Sequence, residues 1–159
     1  MRTLIGTAVI TLFAASSALG GTLAPAKASA VVNLFALPTS ATCCSSGLAF
    51  DHQLDSNGNS SAFSIPAKQA LVVTELDWQT LNGTSGTDTI VSVAIQNSSG
   101  CSFLGAQSVG LTDSVGNAGG TLVFPTGLVL RPGTQICFTL GSSGSLNFAN
   151  VHGFLTKDQ

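Results

Sequence analysis

The sequence predicts an all-β protein, an antiparallel β-sandwich of the jelly-roll type with eight or nine short strands. The first observation is a period-two alternation of apolar and polar residues, as in "ALVVTELDWQT" (70–80) and "TQICFTL" (134–140), with no recurrent helical spacing. The second is that clusters of Gly, Ser, Asn, Asp and Pro separate these runs, as turns separate strands. An immunoglobulin-like sandwich is the alternative arrangement.

Each predicted strand rests on a run of alternating, β-branched or aromatic residues. In "GLAFDHQL" (47–54), Leu48, Phe50, His52 and Leu54 fall on one face, which places Asp51 on the opposite face from His52. In chain order we expect strands at residues 31–36, 47–54, 61–65, 70–79, 89–96, 102–109, 120–130, 134–140 and 146–156. Because no linker or long repeat interrupts them, residues 31–159 are predicted to form one sandwich domain.

The first thirty residues have the pattern of a secretory signal peptide. Arg2 gives a positive start, residues 4–19 form an uncharged apolar run too short to span a bilayer comfortably, and Ala28-Ser29-Ala30 has the small-x-small pattern. We expect cleavage after Ala30, with Gly20 as the alternative site. The mature protein is then extracellular or periplasmic, with no membrane insertion after cleavage.

The charge of the predicted domain excludes some partners. Residues 31–159 carry three Lys or Arg side chains against seven Asp or Glu, which gives a net charge of −4. Nucleic acid binding needs a basic face that releases counterions from phosphate, and three scattered cations cannot form one. The same count argues against an anionic membrane surface as a partner.

The four cysteines, Cys43, Cys44, Cys101 and Cys137, are expected to form two disulfides, because an exported chain matures in an oxidising compartment. Four cysteines allow three pairings. A bridge between the adjacent Cys43 and Cys44 would close a strained ring, so we favour the two pairings that join them to Cys101 and Cys137, in either order. Neighbours on an extended chain point to opposite sides, which suits diverging bridges and disfavours a shared zinc ion.

A calcium site is the one metal candidate. Asp55, Asn57 and Asn59 in "DSNGN" are spaced like the first ligands of a calcium loop. However, the Gly falls too early, and Pro66 stands where a bidentate Glu would be expected. We therefore interpret the stretch as an Asx-rich turn, and we expect no metal and no cofactor.

No catalytic motif is present: the sequence lacks both G-x-S-x-G and H-E-x-x-H. A hydrolase could use Glu75 with Asp77, which share one strand face, or His52. We interpret the two carboxylates as a solvated face and His52 as a hydrogen-bonded core histidine. His152, near the end of the chain, is expected at the surface or in an interface.

Sugar binding has little support, because lectin-like sites stack rings on exposed Trp or Tyr and this chain has no Tyr. Alternation places its single tryptophan, Trp78, with Val72 and Leu76 in the core. A small-ligand or carbohydrate-binding module, with or without calcium, would have to use loops such as "DSNGNSS" (55–61) or "VGNAGG" (115–120).

The stretches "IPAKQALVVTELDWQ" (65–79), "LVLRPGTQICFTL" (128–140) and "VHGFL" (151–155) resemble a loose group of uncharacterised secreted bacterial β-sandwich proteins. That group carries a P-A-G-K-like turn, a hydrophobic strand with a late Trp, an L-R-P-G-x-x-[IV]-C segment and a G-[YF]-L ending. Here "PAKQ" lacks the usual Gly, and "GFL" has Phe where Tyr is commoner. The resemblance implies an exported β-sandwich and lends no catalytic residues.

These observations favour a secreted, non-catalytic β-sandwich that acts as an extracellular surface, adhesion or assembly module. Its exterior is rich in Ser and Thr and poor in charge, which favours sheet-to-sheet association. We therefore expect a homo-oligomer, with a trimer as one form. Ligand binding and hydrolysis are the first and second alternatives.

Overall fold

Two antiparallel sheets pack face to face in the computed structural model, which describes residues 25, 27–36, 40, 42–44, 47–55, 57–141 and 145–158. A 3₁₀ turn at Ala28–Ala30 precedes eleven strands in the described residues. The strands are β1 (Val31–Phe35), β2 (Thr42–Cys43), β3 (Gly47–Ala49), β4 (His52–Leu54), β5 (Ser60–Ala62), β6 (Gln69–Leu81), β7 (Asp88–Asn97), β8 (Gly100–Leu111), β9 (Ala118–Leu130), β10 (Gln135–Leu140) and β11 (Ser145–Lys157). The predicted count of eight or nine was too low, because residues 47–54 form two strands and two-residue β2 has no readable alternation.

The strand order confirms the jelly-roll prediction. One sheet has the order β5-β4-β1-β11-β6-β9 and the other β2-β3-β10-β7-β8. Four antiparallel pairs make the frame: β1 with β11, β3 with β10, β6 with β9, and β7 with β8. Apart from the short strands β2, β4 and β5, the first strand of the chain thus pairs with the last, the second with the second last, and so on inwards. Successive pairs lie alternately in the two sheets. This is a long antiparallel ribbon rolled into two layers, rather than an immunoglobulin arrangement.

The core lies between the sheets and is built from one face of each strand. Its largest fully buried side chains include Trp78, Phe138, Leu34, Leu71, Leu76 and Leu130. Trp78 is 2% exposed, and its indole N–H donates to the Ser108 hydroxyl of β8 at 2.9 Å, which links the two sheets. The prediction that Trp78 is a core residue is confirmed. The indole requires glycine opposite it, since a Cβ on Gly110 would lie 2.8 Å from Trp78 Cη2.

A β-bulge changes the phase of β6. Its register with β11 shifts by one residue between Val73 and Glu75, which pair with Gly153 and His152, so Leu71 and Val73 face the core on one side of the bulge and Leu76 on the other. The extra residue of a bulge reverses the alternation on either side of it. Val72 was therefore wrongly placed with Leu76, because it lies on the outer face of its sheet.

The predicted strand at residues 47–54 is a corner where the chain changes sheet. Ala49 ends β3 in the five-stranded sheet, and His52 begins β4 in the six-stranded sheet. Between them, the Phe50 N–H donates to Ile136 O, and the Asp51 carbonyl accepts from the Phe63 N–H. Alternation cannot continue through such a corner, so the predicted common face of residues 48, 50, 52 and 54 does not exist.

Most of the predicted signal peptide, residues 1–24, lies outside the described residues, as does the alternative cleavage site at Gly20. Strand β1 begins at Val31, directly after the predicted cleavage position. Within the described ranges, no helix has the length and apolar character needed to cross a membrane.

Candidate functional site

The cysteine doublet fastens the N-terminal segment to the outer side of the five-stranded sheet. Cys43 is bonded to Cys137 of β10, and Cys44 to Cys101 of β8, with Cα–Cα distances of 5.6 and 5.5 Å. This is one of the two pairings that the sequence favoured, in which Cys43 and Cys44 are bonded to different strands. The chain is not extended through the doublet as expected, since Cys44 has a φ of 52°, and its N–H donates to Gln96 Oε1 at 2.8 Å.

The cysteines therefore serve the fold and do not form a metal centre. Sulphur atoms of Cys43, Cys44 and Cys137 lie within 4.8 Å of one another, but each is consumed in a disulfide and none is a thiolate. With Ala49 and Ala94 they make a small buried cluster on the face of the sheet away from the main core. Both bridges end on the same sheet, so they do not tie the two sheets together.

The calcium candidate is a hydrogen-bonded turn. Asp55 Oδ1 accepts the backbone N–H groups of Asn57 and Asn59 at 2.8 Å each, and Asn59 Nδ2 donates to Oδ2 at 3.2 Å. The sequence repeats the motif D-S-x-G-N at 113–117, and there Asp113 Oδ1 accepts from Val115 and Asn117 in the same way. Since Val115 replaces the second candidate ligand without changing the turn, hydrogen bonding accounts for the motif without an ion. The repeat is readable in the sequence, but a second copy of the turn was not predicted.

These N–H groups, the backbone N–H of Asn59 first, lower the pKa of Asp55 from its usual value. Ionised Asp55 therefore stabilises the fold above the carboxyl's unfolded-state pKa, and this contribution is lost as the pH falls through the lower folded-state pKa. We expect Asp55→Ala to lower the melting temperature at pH 7, with the difference from the native protein narrowing towards pH 2. Asp55→Asn, which keeps an acceptor oxygen, should lose less at pH 7. Thermal scans across this pH range check the prediction, and a difference independent of pH would contradict it.

The corner holds a Ser–Asp–His cluster, in which His52 is hydrogen-bonded as predicted but is partly exposed rather than a core residue. His52 Nδ1 lies 2.7 Å from Asp51 Oδ1, and the Ser40 hydroxyl donates to that same oxygen at 2.6 Å. The prediction that alternation separates Asp51 from His52 was wrong, because the chain changes sheet there. In a Ser–His–Asp relay the imidazole stands between hydroxyl and carboxylate, whereas here a carboxylate oxygen stands between the other two. The cluster positions the corner, with the His52 ring packed 5.8 Å from the Phe35 ring.

A polar row crosses the outer face of the six-stranded sheet. His152 on β11 places Nδ1 2.9 Å from Asn33 Oδ1 on β1 and Nε2 3.1 Å from Asp77 Oδ2 on β6. Asp77 Oδ1 accepts from the Thr121 hydroxyl on β9 at 2.6 Å, so the row joins four strands. Glu75 is the register partner of His152 on the same sheet. Asp77, one of the two carboxylates proposed for hydrolysis, is therefore part of a wider hydrogen-bonded surface in which both of its oxygens have partners.

A cavity of about 220 Å³ opens at one end of the sandwich between the sheets. Its inner wall is made of the buried core residues Leu34, Phe50, Leu71, Leu130 and Ile136. Its mouth carries polar side chains and two partly buried apolar ones, namely Asp51, Ser64, Asn97, Thr134, Phe63 and Ile65. This cavity could not be predicted from the sequence, because its walls come from six separate parts of the chain.

The two long edge strands lie on the same side of the sandwich. Strand β8 ends one sheet and β9 ends the other, whereas the opposite edges, β2 and β5, have only two and three residues. Residues 100–130 contain a single charged residue, Asp113, which lies in the turn between the two edges. Apolar side chains are exposed along this side, among them Leu104, Val109, Leu111 and Val123. A groove of about 320 Å³ runs between Leu104 and Ala106 of β8 and residues 123–128 of β9.

No protein-family model matches this chain, and no curated protein matches it.

Proposed function

We propose that the protein is an exported, non-catalytic β-sandwich that works by its surface and associates with further copies of itself through β8 and β9. The observation that carries the proposal is the pair of long, uncharged edge strands on one side of the molecule. Unpaired edge strands present backbone N–H and C=O groups that can pair with another chain. Natural edges are usually blunted by charges, proline or shortness, and β8 has none of these protections.

Charge supports a second copy as the partner on this side. The predicted mature chain is acidic overall, so two copies repel each other over most orientations. The β8–β9 side, with Asp113 as its single charge, is where they approach with the least repulsion. Exposed Val109 and Leu111, 60% and 69% accessible, would lose contact with water there.

The geometry of the contact decides the subunit number. Two β8 edges that pair with each other give a symmetric dimer, whereas β8 of one copy against β9 of the next gives a head-to-tail ring such as a trimer. Pro125 in β9 removes one N–H from that edge, which makes β8 the better donor of backbone hydrogen bonds. The disulfides support the exported part of the proposal, since such bonds persist in oxidising compartments.

A charge placed on the β8 edge should break the assembly. We expect residues 31–159 to give an oligomer by size-exclusion chromatography with light scattering at micromolar concentration, and Leu111→Lys to give a monomer. A lysine on an edge strand cannot be buried against a second sheet without a large desolvation cost.

Leu54→Lys is the matched control, because Leu54 is also exposed, at 50%, but lies on β4 in the opposite half of its sheet. This variant should keep the native subunit number. A monomeric native protein at these concentrations would remove the proposal. An oligomer that survives Leu111→Lys would remove the assignment to the β8 edge.

A further inference from the structure

We propose that the bond between Cys44 and Cys101 is a site of exchange with external thiols, and that the freed Cys44 thiolate then opens the buried disulfide beside it. That second disulfide joins Cys43 to Cys137. The reactant is a thiol or dithiol, whose sulphur forms a mixed disulfide with the protein. Association through β8 and β9 does not enter this chemistry, because the Cys101 side chain points to the outer face of the sheet, towards Cys44, rather than along the edge.

The two disulfides differ in their access to a dissolved thiol. Cys101 is exposed, whereas Cys43 and Cys137 are each 0% exposed. A thiolate has to reach a disulfide sulphur in order to attack it, so the folded protein is attacked at Cys101 and not at the buried bond. This attack leaves a mixed disulfide on Cys101 and releases Cys44 as a thiolate.

The released sulphur lies beside the buried bond. Cys44 Sγ is 3.5 Å from Cys137 Sγ, and the sulphurs of Cys43, Cys44 and Cys137 all lie within 4.8 Å of one another. Reacting atoms about 3 to 3.5 Å apart are in a near-attack arrangement. The Cys44 N–H also donates to Gln96 Oε1 on β7 at 2.8 Å, a hydrogen bond that remains when the bond to Cys101 is broken. Cys44 is therefore held where it can attack.

The second step exchanges one protein disulfide for another. The Cys44 thiolate attacks Cys137 Sγ, the new bond forms between these two sulphurs, and Cys43 leaves with the electron pair of the old bond and takes up a proton. With a dithiol as the reactant, its second thiol then displaces Cys101 from the mixed disulfide. One dithiol is thus oxidised to its cyclic disulfide, and its two protons end on the new thiols of Cys43 and Cys101.

Partial reduction of the disulfide-bonded protein tests the order of these steps. The protein is treated with one equivalent of dithiothreitol at pH 8 without denaturant, acid stops the exchange, and N-ethylmaleimide labels the free thiols after denaturation. We expect tandem mass spectrometry to find one label at Cys101 and the other divided between Cys43 and Cys44, because the exchange is reversible. Label confined to Cys101 and Cys44 would overturn the transfer to the buried bond. Label at Cys43 and Cys137 without Cys101 would overturn the site of entry.

Two single variants separate the position of the Cys44 sulphur from a general loss of stability. Cys101→Ala and Cys44→Ala remove the same disulfide and therefore lose the same loop closure in the unfolded chain. The first variant keeps a thiol beside the buried bond, and the second keeps one at Cys101. After incubation at pH 8 without a reductant, we expect roughly tenfold or more label at Cys43 in Cys101→Ala than in Cys44→Ala. Equal labelling of Cys43 in the two variants, or none in either, would overturn the proposal.

Discussion

Replacing Cys43 and Cys137 together by alanine is expected to lower the free energy of unfolding by about 4 kcal/mol or more. With the Cys44–Cys101 bond still in place, the loop that this bridge closes in the unfolded chain runs through that bond and has about 38 residues, which is worth about 3.9 kcal/mol in the chain-entropy model. Measured losses of native disulfides run from about 2 to 5 kcal/mol, so this bond stands near the upper end. Both cysteines are 0% exposed, and the cavity left by alanine adds to the loss.

The second bridge gives a matched comparison. With the Cys43–Cys137 bond in place, the Cys44–Cys101 bridge closes a loop of the same length, so the two bridges differ in burial, and Cys101 is exposed. The Cys44→Ala, Cys101→Ala pair should therefore lose less than the Cys43, Cys137 pair. Urea unfolding monitored by circular dichroism measures both. The opposite order would show that the small buried cluster of Cys43, Cys44, Cys137, Ala49 and Ala94 contributes little to the stability of the native state.

Trp78→Ala is expected to lower the free energy of unfolding by about 3 to 5 kcal/mol, the usual cost of removing a buried tryptophan. The side chain is 2% exposed and lies between the two sheets, where glycine at positions 110 and 120 leaves room for the indole. Circular dichroism is the measurement, because the variant lacks the only tryptophan.

Ser108→Ala isolates the polar part of the same contact. It removes the acceptor of the indole N–H and leaves a buried donor without that partner, which costs about 1 to 3 kcal/mol. Trp78→Phe keeps most of the ring and should fall between the two. A loss from Ser108→Ala as large as that from Trp78→Ala would mean that packing of the indole is not the main contribution.

The strands were predictable where both the strand and its alternation were long. Strands β6 to β11 appear close to their expected positions, because each alternates over six or more residues against one buried layer. The bulge in β6 and the corner at Phe50 and Asp51 were not predictable, since neither leaves a mark in the sequence pattern. A single extra residue at position 74 was enough to misplace Val72.

The side-chain contacts in the candidate sites depend on which residues of neighbouring strands lie opposite each other, and a single sequence does not show this register. His152 meets Asn33, 119 positions away, only because β1 pairs with β11 in one particular alignment. His152 and Asp77 could each be read as outward-facing, but nothing in their spacing indicated that they touch. It was predictable that Cys43 and Cys44 would form separate disulfides, because disulfide geometry disfavours a bond between neighbours and an exported protein is oxidised. Which of them is bonded to Cys101 and which to Cys137 was not predictable.

The bond between Cys43 and Cys137 also limits how far the protein can be stretched. Strands β1 and β11 pair antiparallel with Val31 opposite Phe154, so a pull on the two ends of the domain would unzip them one residue pair at a time. The separation of the strands would then reach the cysteines, where the covalent bond carries the load. The 94 positions between them, roughly 300 Å of extended chain, would be shielded from the force. A molecule pulled at its two ends would therefore extend only by the segments outside the Cys43–Cys137 bond, and the remainder of the domain would stay folded.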